Sequence, residues 1–164
     1  MAGIDGFWGQ EAKKRGWIVI SPMAPNGTLF FQGSETLIPE FVARMRQQYE
    51  PEGGKYHLSG ISNGGISAFR VAGNYPDLFH SVMVLPGFPR SEEDFQNLAG
   101  LKDIPVAMFV GEEDSSWIPR MEQTEEALSA LGGQVSLEIL PGEGHLIRSL
   151  QGGETLFDLL ESFR

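Results

Sequence analysis

The chain has 164 residues, with 22 Asp and Glu against 12 Lys and Arg, a formal net charge of −10 and no cysteine. The length fits one domain around one core. The missing cysteine excludes a disulfide scaffold, a thiolate nucleophile and a Cys-ligated metal, and the acidic balance argues against a nucleic-acid surface, which needs clustered Lys and Arg. An apolar share of 41% suits a globular interior, and no apolar run approaches the ~18 residues of a membrane span. The first residues lack the basic start and apolar stretch of an export signal, so the cytoplasm is the expected compartment.

In chain order, short apolar runs alternate with amphipathic stretches, the pattern of a parallel α/β sheet. A helix is predicted over residues 7–15. Trp17-Ile18-Val19-Ile20-Ser21 then reads as a buried strand. A polar and aromatic loop covers residues 21–34, and a second helix residues 35–49. The second strand spans residues 56–61, followed by a helix over 64–74 that Pro76 ends. The third strand is residues 81–85, and a rim loop runs over 86–97. The fourth strand, residues 106–110, precedes a helix over 118–131 that Gly132-Gly133 closes. The fifth, residues 135–140, alternates enough to be an edge, and a last helix covers 155–163. Both long loops follow strand C-termini, the rim where open α/β sheets bind ligands.

Gly60-Ile61-Ser62-Asn63-Gly64 stands where the second strand hands over to a helix. A serine there, with glycine at both second neighbours, reads as a sharp turn that lifts the hydroxyl above the sheet. A Cβ at either flanking position is expected to clash with the neighbouring strand or helix. The turn also places the Asn63 amide at a helix N-terminus, facing a developing oxyanion.

A nucleophilic serine needs a base, and the base an orienting acid. His57 lies inside a strand and His80 at a strand's N-terminal end, the wrong edge of the sheet, so both read as structural. His145 follows the last strand in Pro141-Gly142-Glu143-Gly144-His145, a rim loop. Glu112-Glu113-Asp114 follows the fourth strand, one βα unit earlier. Three adjacent carboxylates commonly form a solvated loop, but one of them at the rim completes a Ser, acid, His order along the chain.

Four segments together resemble the α/β-hydrolase family over nearly the whole chain. Residues 60–64 resemble its nucleophile elbow. Asn74-Tyr75-Pro76-Asp77-Leu78-Phe79 resembles the turn after its nucleophile helix, Gly111-Glu112-Glu113-Asp114 its acid loop, and Gly144-His145 its terminal Gly-His. The resemblance implies a three-layer sandwich with a mostly parallel sheet of about five strands and no cap domain. It implies Ser62 as nucleophile, His145 as general base and acid, and Asp114, the fourth residue of its loop, as the orienting carboxylate, with the Asn63 amide as one oxyanion donor. The compact, lidless esterases of the polyhydroxyalkanoate-depolymerase, feruloyl-esterase and carboxylesterase type are the most similar. The implied reaction is hydrolysis of a small-molecule carboxylic ester.

The chain departs from the family in one respect. The His-Gly loop that usually carries the second oxyanion amide is absent, together with the strand before it. Residues 1–8 resemble the part that directly follows that loop. In the family the lost strand lies between the strands at residues 17–21 and 56–61. Those two strands either pair directly here or leave a gap that a partner fills. The alternative reading is therefore a non-catalytic or truncated hydrolase-like module that needs a partner, or homodimerisation through an unfilled sheet edge, to complete its sheet.

Phe31, Phe88 and Trp117 fall in rim loops and are candidates to line an apolar substrate pocket, although such side chains also serve as core cover. Gly152-Gly153 reads as a helix-start loop. No phosphate-binding G-x-x-x-x-G-K-[ST] or zinc-binding H-E-x-x-H occurs, and no histidine pair accompanies the acidic loop, so no cofactor and no metal are expected.

Overall fold

The computed structural model describes residues 5–164. The N-terminal resemblance over residues 1–8 lies partly outside them. A π-helical turn, Asp5–Gly9, leads into α1 (Gln10–Arg15), which Gly16 closes in the left-handed conformation. Short 3₁₀ turns lead to α2 (Ile38–Arg46). Then follow β1 (Tyr56–Gly60), α3 (Asn63–Asn74), β2 (Phe79–Val84) and α4 (Glu92–Gln96). β3 (Val106–Gly111), α5 (Ile118–Ala130), β4 (Val135–Leu140) and α6 (Glu154–Ser162) complete the chain. Among the described residues no helix is long and apolar enough to cross a membrane.

The four strands form one parallel sheet in the order β1-β2-β3-β4. The twofold alternation of strand side chains divides the core into two layers. Val82, Val84, Val106, Met108 and Val110 face α2, α3 and α5, together with Ile38, Val42, Phe69 and Leu128. Met83, Leu85, Ala107 and Phe109 face the opposite way, onto Phe7, Trp8, Leu156 and Phe157 of the N-terminal turn and α6. This is a three-layer α/β sandwich. β2 and β3 are buried nearly throughout, as central parallel strands must be.

The first of the five predicted strands, residues 17–21, does not form. These residues take no regular secondary structure and pair with no strand, with Ile18 59% and Val19 41% exposed. The reason is the lack of a partner. Strand composition creates a demand for burial, but a strand forms only where another backbone can exchange hydrogen bonds with it. These residues do not pair with β1, which is therefore an edge of the sheet. At the opposite edge, β4 alternates exposed and half-buried residues as its sequence indicates, and the Glu125 carboxylate accepts the Leu137 N–H (3.1 Å).

Beside β1, His57 Nδ1 lies 2.7 Å from Ser81 Oγ, and Trp17 and His80 flank its ring at 5.3 and 5.5 Å between centroids. Burial, then the charges of His80 and Arg164, push His57 from the usual 6.5 down to about 4. The folded chain thus holds His57 neutral in a range where the unfolded chain protonates it. Between pH 6.5 and 4 the unfolded state binds more protons, so acidification through this window destabilises the fold. The urea midpoint of the wild-type chain should fall from pH 7 to pH 5, and in His57→Gln it should fall less. Equal slopes would show that His57 is not the group responsible.

Candidate functional site

The site is built from three loops at the C-terminal rim of the sheet. β1 ends at Gly60 and α3 begins at Asn63, which leaves two residues for the reversal. Ser62 takes φ 57°, ψ −118°. A non-glycine residue there stores about 1–3 kcal/mol of backbone strain, so its surroundings must hold it in place. The Ser62 N–H donates to Pro86 O (2.9 Å), beyond the end of β2, while Gly64 N and Gly65 N close turns onto Ile61 O and Ser62 O.

The glycines divide differently from the sequence expectation. A Cβ on Gly60 would stand 2.1 Å from Gly64 O, so glycine is required there. A Cβ on Gly64 would meet nothing within 4 Å, and the expected clash at that position does not exist. The second indispensable glycine is Gly65, where a Cβ would stand 2.2 Å from Pro86 O. The helix thus approaches the end of β2 one residue later than the motif suggests. A close backbone approach leaves little signal in a sequence unless the neighbouring loop is known.

The acid and histidine loops meet in a similar way. Gly111 ends β3, and a Cβ there would lie 2.1 Å from Glu143 O. Without it, the two loops lie backbone to backbone, with Glu112 N donating to Leu140 O and Glu113 N to Glu143 O (both 2.9 Å). Glu112 Oε2 accepts the Gly142 N–H (3.0 Å). The Glu143 carboxylate accepts the Arg148 and Ser149 amides (2.9 and 2.8 Å), which hold it below the usual carboxylate range. These carboxylates fix loops, and among the described residues no group of three or more His, Asp or Glu converges as a metal-binding set.

This packing brings Ser62, Asp114 and His145 together from positions up to 83 residues apart. His145 Nε2 lies 2.8 Å from Ser62 Oγ, and His145 Nδ1 lies 2.6 Å from Asp114 Oδ2. The Asp114 side chain is 9% exposed and that of His145 45%. A sheltered carboxylate therefore faces one ring nitrogen, while the other faces the serine at the open rim. Glu112 and Glu113 do not share this position. Among the described residues no backbone hydrogen bond uses the Asn63 N–H, which opens α3 beside Ser62.

Of the three aromatic candidates, the structure brings two together. Trp117 lies 4.9 Å from His145 between ring centroids, and Phe88 packs on Trp117 at 4.8 Å, edge to face. Phe31 stands apart, buried with the Arg90 guanidinium 4.9 Å above its ring. The rim loop carrying Phe88 is secured by a pair that the sequence reading missed. Arg70 of α3 forms an ion pair with the buried Asp94 and donates to Ser91 Oγ (3.1 Å). Asp94 also accepts the Arg90 and Ser91 amides. Ser91 and Asp94 form a capping box at the start of α4, a local signal present in the sequence; Arg70 carried no comparable signal.

No protein-family model matches the sequence, and no curated protein does. Solved structures do. An uncharacterized protein from Bacillus cereus ATCC 10987 overlays with a TM-score of 0.82 at 14% identity, covering 99% of this chain and 55% of that one. Esterase PE8 gives 0.66 at 21% identity, covering 87% of this chain and 69% of that one. Zea mays acyl-protein thioesterase 2 gives 0.56 at 17%, covering 90% and 72%. At these identities the likeness defines the fold, an α/β-hydrolase-like sandwich, and among the described residues no separate cap is seen over it. The chain spans about half the length of the Bacillus cereus protein.

The glycine geometry yields a paired expectation. Gly60→Ala should lower stability by more than about 2 kcal/mol, because only backbone could yield to its methyl group. Gly64→Ala should be neutral or stabilising by up to about 1 kcal/mol, since it replaces a helical glycine facing open space. Thermal denaturation of the two variants measures both effects, and equal losses would contradict the assignment.

Proposed function

We propose that the chain is a serine hydrolase that cleaves carboxylic esters through an acyl-enzyme. The observation that carries this reading is the unbroken path from Ser62 Oγ through the His145 imidazole to Asp114, at 2.8 and 2.6 Å, on a turn that strains Ser62. Asp114 selects the tautomer in which Nδ1–H donates to its carboxylate, which leaves Nε2 to accept the serine proton. Ser62 Oγ attacks the ester carbonyl as its proton passes to Nε2. The Asn63 N–H stabilises the tetrahedral oxyanion, and the imidazolium returns the proton to the leaving alcohol. Water then enters by the same steps, His145 taking its proton, and the acid leaves. Phe88 and Trp117 form an apolar wall beside His145 for the acyl or alcohol group. The names of the structural neighbours, esterase and acyl-protein thioesterase, agree with acyl transfer as the class of chemistry.

A second reading, a module that depends on a partner to complete its sheet, is favoured by the open β1 edge. The two separate in one assay. A panel of p-nitrophenyl esters from acetate to longer acyl chains should be turned over by the wild-type chain. Ser62→Ala should lose at least about 10³-fold in kcat, and Asp114→Asn about 10³–10⁴-fold. Absence of turnover from a folded, monodisperse sample would leave the partner-dependent reading in its place.

A further inference from the structure

The rim loop from Pro86 to Ser91 is tied to α3 at both of its ends. At the first, the Ser62 N–H donates to Pro86 O (2.9 Å) and Gly65 lies against Pro86 and Gly87. At the second, Arg70 reaches across from the same face of α3 as Asn63, two turns further on. Its Nη2 donates to Ser91 Oγ (3.1 Å) and to Asp94 Oδ2 (3.3 Å), and its Nε faces Asp94 Oδ1. Asp94 Oδ2 also accepts the N–H groups of Arg90 and Ser91 (3.2 and 3.0 Å). The Arg70 Nη1 lies 3.3 Å from Glu93 Oε2 and 3.6 Å from Glu35 Oε1. Carboxylates from three residues thus surround one guanidinium, and those of Asp94 and Glu35 are buried.

Between the two ties, among the described residues, no backbone hydrogen bond holds Gly87, Phe88 or Pro89. Gly87 and Pro89 are buried and Phe88 is half-buried. The Phe88 ring packs on Trp117, which in turn packs on His145. The position of this ring therefore depends on where the loop is fastened, and the far fastening is the Arg70 fork.

We propose that Arg70 is a positioning residue that sets Phe88 through Asp94 and Ser91 and thereby selects esters of longer apolar acyl chains over acetate. The proposal rests on the reading of Ser62 as an esterase nucleophile. A longer acyl chain can lie along the Phe88 and Trp117 rings, whereas the acetate methyl group is too short to use them. A loop pinned at both ends holds that wall in place before substrate arrives, so binding does not have to order it. Only a planar fork reaches Asp94 and Ser91 together, which a lysine in the same place could not do.

The test is the ratio of kcat/KM for p-nitrophenyl hexanoate to that for p-nitrophenyl acetate. A purely structural role would scale both rates by the folded fraction and leave the ratio unchanged. The wild-type chain should favour hexanoate, and Arg70→Met should lower the ratio by at least about tenfold. Arg70→Lys keeps a charge opposite the buried Asp94, so it carries the test if Arg70→Met does not fold. It should lower the ratio by at least about threefold. Phe88→Ala should lower the ratio as far as Arg70→Met does, and adding Arg70→Met to Phe88→Ala should change it by less than about twofold. Hydrolysis that requires Ser62, with a ratio that neither Arg70 variant alters, would overturn this proposal and leave the esterase reading standing. A full further loss in the double variant would also overturn it, because Arg70 would then act by a route other than Phe88. No hydrolysis of either ester by the wild-type chain would overturn the esterase reading and the proposal with it.

Discussion

The site depends on backbones approaching more closely than any side chain would allow. At Gly65 α3 rests against Pro86 and Gly87, and at Gly111 the end of β3 rests against the loop that carries His145. The first contact, with the hydrogen bond from Ser62 N to Pro86 O, holds the strained serine above the sheet. The second places Asp114 and His145 within 2.6 Å of each other. A methyl group at either glycine would separate the elements that bring Ser62, Asp114 and His145 together. The parallel sheet supplies the frame for these contacts, because every strand ends at the same rim.

Much of this was legible in the sequence. The strands at residues 56–61, 81–85, 106–110 and 135–140 are apolar runs bounded by turn residues, and each occurs within a residue or two of its expected place. The choice of His145 over His57 and His80 followed from which end of a strand each occupies, and the structure places only His145 beside Ser62. Residues 17–21 carry the same strand composition and yet do not pair. Composition states what a segment would bury but cannot supply the backbone beside it. Gly64 misled for a related reason, since the motif marks a sharp turn but not which glycine meets the neighbouring loop. Phe30 and Phe31 are adjacent in one 3₁₀ turn, and no periodicity told which of them would be buried.

The two edges of the sheet differ in a way that bears on the site. β4 is shielded by alternation and by the Glu125 carboxylate at its Leu137 amide. β1 has apolar ground on both faces and an open side, and it leads directly into the strained Ser62 turn. The strand least supported laterally is thus the one whose geometry matters most.

The most direct measurement is the reaction of the chain with a fluorophosphonate, followed by mass spectrometry of the modified peptide. Attack by an activated serine displaces fluoride and leaves a stable phosphonyl ester, so it reports nucleophilicity without requiring turnover. The account predicts stoichiometric modification at Ser62 alone, with His145→Ala reacting at least about 10³-fold more slowly. A folded chain whose Ser62 stays unmodified, or reacts no faster than its other serines, would contradict it.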